Sequence, residues 1–192
     1  MPTEPPVSKR ERRERSVARP IDGARLEELA LAYVARFATS AARLEAYLKR
    51  KLRERGWEGE DEPDLAAMVR RYVERGYVDD AAYARARAGD LLRRGYGGRR
   101  VRQALGQAGI GEREAQQAAP GEQAARTAAL HLARKRGFGP FALDPMPPEK
   151  REKAIAAMLR AGHKFDHVRT VIDAEREADL LDWVEEARNT EE

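Results

Sequence analysis

Four short stretches hold the residues with chemical potential. His163 and His167 stand four apart, a spacing that sets two imidazoles on one helix face, with Lys164, Phe165 and Asp166 between them. A zinc protease helix needs Glu directly after its first His and a third ligand elsewhere, and neither is evident. These histidines, like His131, are expected to be caps or surface groups. Asp79 and Asp80 are adjacent carboxylates able in principle to share a proton. They stand just before a helical pattern, where negative charge favours the helix N-terminus, so capping is the expected role. The run Gly95-Tyr96-Gly97-Gly98-Arg99-Arg100 leads glycine-exposed backbone into a helix, an arrangement that suits phosphate. It lacks the Lys and Ser/Thr of a P-loop and reads as a tight helix–helix turn. What remains is charge. Between 81 and 110, Arg85, Arg87, Arg93, Arg94, Arg99, Arg100 and Arg102 face only Asp90, for a net +6. Lys49, Arg50, Lys51, Arg53 and Arg55 form a second basic run. Guanidinium groups bind carboxylate or phosphate as a planar fork. No catalytic constellation, metal site or cofactor site is expected.

The elements that must carry these residues are helical. Among 192 residues there are 34 Ala but only 4 Ile, 10 Val and 5 Thr, so strong helix formers dominate and β-branched residues are scarce. Residues 1–24 hold four prolines and no apolar period, and are expected to be a disordered basic tail. Helical periodicity then runs through nine segments. Leu26, Leu29, Ala30, Tyr33, Val34 and Phe37 mark the first. Ser40 caps the second, which uses Leu44, Tyr47, Leu48 and Leu52. Pro63 suits the first turn of the third. The seventh spans about 122–136 and is followed by a loop over 137–148. The ninth, with Val168, Val171 and Ile172, is expected to continue through Leu180, Trp183, Val184 and Ala187. Core packing, not base stacking, is the expected role of Tyr33, Phe37, Tyr47, Trp57, Tyr72, Tyr77 and Tyr83.

The helix stops repeat. Gly56, Gly109 and Gly162 are spaced by 53 residues, and four residues before each stands Leu52, Leu105 or Met158. Three such marks predict three tandem three-helix repeats, an all-α, elongated, curved array of the kind that binds other macromolecules along a surface. The boundaries are 1–24 tail, 25–78, 79–120 and 121–174 repeats, and 175–192 an acidic helical extension.

Net charge is only +4, but it is unevenly placed: residues 173–192 carry -7, and the body 26–172 carries +8. A basic body suggests an anionic partner, nucleic acid or an acidic protein groove, and the acidic end could screen it. No apolar run is long enough to span a bilayer, no signal peptide is visible, and there is no cysteine. A cytoplasmic monomer without membrane contact is expected.

Three motifs carry a resemblance. Tyr33, Val34, Arg36 and Ser40 come first. Gly76, Tyr77, Val78, Asp79, Asp80, Tyr83 and Ala84 form the most specific block. Gly95, Gly97, Arg100, Val101, Arg102, Leu105, Gly109 and Ile110 follow. Together they resemble the RecX family of recombination regulators over 26–112, and more loosely over 122–174. Departures are Phe37-Ala38-Thr39 before Ser40, and Gln107-Ala108 where a basic residue often precedes the glycine. The resemblance implies a non-enzymatic modulator of the RecA recombinase. Such a protein lies in the groove of the RecA–single-stranded-DNA filament, depresses ATPase, strand-exchange and coprotease activity, and binds single- and double-stranded DNA weakly. Lys49, Arg50 and Arg53, with the arginines of 85–102, would touch partner or DNA. The alternative is a helical nucleic-acid-binding protein that acts without RecA.

Overall fold

A computed structural model describes residues 19–191. Among these the secondary structure is helical, apart from an isolated parallel bridge between Ile21 and Trp57. The chain divides into two compact units at Val78/Asp79.

The first unit holds three helices: α1 (Gly23–Arg36), α2 (Ala41–Arg55) and α3 (Leu65–Glu74). Each begins at a polar cap that satisfies an orphan backbone N–H. Asp22 accepts from Arg25 N at 2.7 Å, Ser40 Oγ from Arg43 N at 3.3 Å, and Asp64 from Ala67 N at 2.8 Å. The third helix therefore starts two residues after Pro63, because Asp64 competes successfully for the cap. Leu26, Ala30, Leu44, Leu48, Met68, Val69 and Tyr72 form the core. Tyr33 stacks on Tyr47 with ring centres 4.2 Å apart. Phe37 and Tyr77 depart from the expected inward role: both are about half exposed, since each lies beyond the last turn of its helix.

The expected tail needs correction at its C-terminal end. Residues 1–18 lie outside the described residues, but Ile21 is fully buried in the first core. Its N–H donates to Gly56 O and its carbonyl accepts from Glu58 N, both at 3.0 Å. One apolar residue makes no periodic pattern, so a long-range backbone pairing of this kind leaves no local trace.

The second unit contains α4 (Asp80–Arg93), α5 (Gly98–Gln107), α6 (Glu112–Gln117), α7 (Glu122–Arg136), α8 (Pro148–Arg160), α9 (Phe165–Asp173) and α10 (Glu177–Glu191). A short 3-10 turn, Gly139–Phe141, follows α7. Two adjoining cores fill it. Ala84, Ala88, Leu91, Val101, Leu105 and Ile110 make the first, and Ala129, Leu132, Met158, Val168, Val171 and Leu180 the second. The expected single ninth helix is two. Ala174 is extended, and the break at 174–176 lets α10 turn back along α7 with Leu180 and Ala187 buried.

The 53-residue marks are structural. Gly56, Gly109 and Gly162 end α2, α5 and α8 with φ of 81°, 70° and 96°, a region that favours glycine. After the last two, the next N–H bonds back to the marked apolar residue's carbonyl: Ile110 to Leu105 at 3.1 Å and His163 to Met158 at 3.3 Å.

Candidate functional site

The Gly95–Gly98 turn has a packing role. Gly97 N donates to Ala161 O at 2.9 Å, and Arg99 N donates to Gly162 O at 3.1 Å. The start of α5 is thereby stapled to the turn between α8 and α9. Gly97 meets the Gly162 backbone so closely that a Cβ there would lie 2.5 Å from His163 N. His163 completes the staple. It is buried, and its Nε2–H donates to Gly95 O at 3.0 Å. Burial pushes its pKa down, against the opposing pull of that carbonyl. Its Nδ1 is left as an acceptor with no hydrogen-bond partner among the described residues.

The staple leaves a groove of about 550 Å³. Arg99, Arg102 and Lys164 line it together with Val101, Ala115 and Phe165. The arginines predicted to project outward lie on α4 and α5, and most are exposed. Arg87, Arg93 and Arg94 share a single counter-ion, Asp90, at 3.5, 4.0 and 3.6 Å. Arg94 also lies over the Tyr96 ring. Arg99 donates to Leu159 O and Arg100 to Gln103 Oε1, both neutral acceptors. Among the described residues Arg85, Arg99, Arg100 and Arg102 enter no ion pair, so their charge is uncompensated at short range. The other basic run is more neutralised. Lys49 pairs with Glu45 at 2.6 Å, while Arg50 and Lys51 share Glu54 at 3.7 and 2.7 Å. Arg53 is exposed, and Arg55 Nε donates to Arg19 O.

Two expectations about histidine are overturned. His163 and His167 are 4% and 5% exposed, neither caps nor surface groups. The reason is tertiary. His167 Nε2 meets Glu122 Oε1 at 2.7 Å and its ring stands edge-on to Trp183, 5.3 Å away. Among the described residues no group of three His, Asp or Glu is placed to hold a metal ion. Glu122 is the unforeseen centre of this cluster. It also accepts from Lys164 at 2.9 Å and from Arg126 at 3.0 Å. Arg126 lies 4.9 Å from the centre of the Trp183 ring and donates to the Trp183 carbonyl at 2.6 Å. The acidic end therefore docks on α7, with Glu177 pairing Arg134.

The motif residues have local duties. Arg36 closes α1 over the Phe37 ring, Gly76 supplies φ 74° after α3, and Tyr77 packs by Tyr72 with ring centres 5.6 Å apart. Asp79 caps α4 by accepting from Ala82 N at 2.8 Å, and Asp80 follows in its first turn. Tyr83 packs half-buried against the α4–α6 core.

A family model for the second three-helix domain of RecX matches residues 79–118. Those residues are α4 to α6, from the Asp79 cap to the end of the third helix. A regulatory protein RecX from Myxococcus xanthus (strain DK1622) is 32% identical over 174 residues, spanning 85% of this chain and 93% of that protein. The chain belongs to the RecX family. The match to the domain begins at Asp79, the residue at which the second unit starts. In this RecX-family chain the Asp-Asp pair acts through helix capping. Asp79→Ala should lower stability by about 1 kcal/mol, read as a shift in urea midpoint, with no change in partner affinity. A selective loss of affinity at unchanged stability would make Asp79 a contact residue instead. No described helix is long and apolar enough to cross a membrane.

Proposed function

We propose that this chain is a non-catalytic modulator of the RecA recombinase. It binds in the groove of the RecA–single-stranded-DNA filament and depresses ATPase, strand-exchange and coprotease activity. Family membership supports the recombinase as partner. The observation that carries the binding surface is the uncompensated charge of Arg85, Arg99, Arg100 and Arg102 on the three-helix domain that the family model matches. Arg87, Arg93 and Arg94 add to it, because three cations share one Asp90. Lys49 and Arg50 contribute less, given their local acidic partners on α2, while the exposed Arg53 adds to the surface. Several weak contacts made on neighbouring subunits of a polymer gain from high effective concentration, so assembled filament is preferred to free recombinase. Contact with DNA is weak, and such contact as occurs is to phosphate and weakens with salt.

The test is RecA ATPase on single-stranded DNA with titrated protein. Wild type should depress the rate. Reversing Arg99, Arg100 and Arg102 to Glu should raise the half-effective concentration by about tenfold or more, with helicity unchanged. Equal potency of the reversed protein sinks the assignment of these arginines. Tight binding to bare DNA at physiological salt, without selection for filament, would favour the reading as a general nucleic-acid-binding protein.

A further inference from the structure

The groove between α5–α6 and the α8–α9 turn differs from the open arginine surface around it. Its walls are held by backbone, through Gly97 N to Ala161 O, Arg99 N to Gly162 O and the His163–Gly95 bond. It is therefore preformed, and a ligand need not first order it. Its lining mixes two kinds of surface. Arg102 offers an exposed guanidinium fork with no ion-pair partner among the described residues, flanked by Arg99 and Lys164. Beside them lie Ala115, Ala119 and Phe165, and Phe165 is 54% exposed although it opens a helix.

We propose that this groove takes a carboxylate-bearing, partly apolar segment of a partner polypeptide, its acidic side chain on Arg102 and an apolar neighbour on Phe165 and the α6 alanines. A bidentate arginine–carboxylate pair gives both direction and register. A nucleic-acid strand fits less well. It carries a charge at every nucleotide and favours an all-cationic path, whereas the lining of this groove includes the carboxylate of Glu112 on α6 beside its cations. Stacking proteins offer successive exposed aromatic platforms, whereas of the rings lining this groove Phe165 is exposed and those of His163 and His167 are buried. This inference rests on the filament reading for the origin of the segment, and narrows it: at this groove the contact is to protein, while phosphate contacts fall on the open arginines.

The probes are a decapeptide of Asp, Glu, Leu and Phe and a deoxythymidine decamer, each titrated into the full-length 15N-labelled protein. The peptide should shift the amide signals of Arg102, Ala115, Lys164 and Phe165. Arg102→Glu should weaken its affinity about tenfold, and Arg102→Lys should weaken it less, because a lysine keeps charge and loses the fork. Unshifted groove signals with the peptide overturn the proposal, as does movement of the same signals by the decamer in its place. The RecA ATPase assay is run in parallel. Depressed ATPase with no peptide binding sinks the groove proposal alone. Peptide binding with unaltered ATPase sinks the filament reading.

Discussion

Gly97→Ala should cost the second unit about 3 kcal/mol, at the upper end of the range for overpacking a tight site, and lower its unfolding midpoint by roughly 10 °C. The added methyl would sit 2.5 Å from His163 N and closer still to the Gly162 carbonyl. Neither neighbour is a flexible side-chain end. Both belong to a turn whose own glycine, Gly162, has no room for a side chain either, since a Cβ on it would lie 2.5 Å from Arg100 N. Relief requires α5 to move away from the α8–α9 turn, which breaks the bonds from Gly97 N and Arg99 N and leaves the buried His163 without its acceptor. The control stands nine residues along. A Cβ on Gly106 meets nothing within 4 Å, and the residue is helical and exposed. Gly106→Ala should therefore stabilise by about 0.5–1 kcal/mol through helix propensity. Two Gly→Ala changes in one segment with opposite signs are readily measured by thermal and urea unfolding of the full chain. A wild-type midpoint for Gly97→Ala would show that the staple yields without cost.

The same staple shows what sequence reading reaches. Helices were legible because their apolar faces recur at helical spacing, and the caps Ser40 and Asp79 because short oxygen side chains before such a face have one strong use. The helix-ending glycines were legible as a 53-residue repeat, and all three take positive φ. The arginines of α4 and α5 could be placed outward because Val101 and Leu105 had to point inward, as they do. What escaped depends on partners distant in sequence. His163 acquires its role from a carbonyl 68 residues earlier, and the His167–Glu122 contact spans 45. No local pattern encodes either. Ile21 was lost for the same reason, through its pairing with Gly56 and Glu58. In the sequence Phe165 is a residue between two histidines, and its spacing assigns it nothing. Its exposure at the mouth of the groove follows from the direction of α9, which periodicity does not supply.

The largest electrostatic effect should come from Glu122→Gln. Burial by itself would raise the Glu122 carboxyl, but the hydrogen bonds from Lys164, Arg126 and His167 outweigh it and hold the group down at about 2 against an ordinary 4.5. The folded chain thus binds fewer protons than the unfolded chain between those values. Its contribution is fully present above pH 4.5 and is lost as pH falls through 2. Glu122 keeps 33% of its side-chain surface, so screening by solvent reduces the full linkage value to about 1–2 kcal/mol at neutral pH. Gln keeps the shape and one acceptor oxygen but no charge for Lys164 and Arg126. The loss should be felt at α10, because Arg126 is the residue that both pairs with Glu122 and packs over Trp183. The chain has two tryptophans, so Trp57→Phe leaves Trp183 as sole reporter. In that background, Glu122→Gln should lower the urea midpoint read by Trp183 emission at pH 7, and the gap should close between pH 4.5 and 2. A gap that persists undiminished at pH 2 would mean that the substitution acts through packing, and that the carboxylate is not what secures the C-terminal helix.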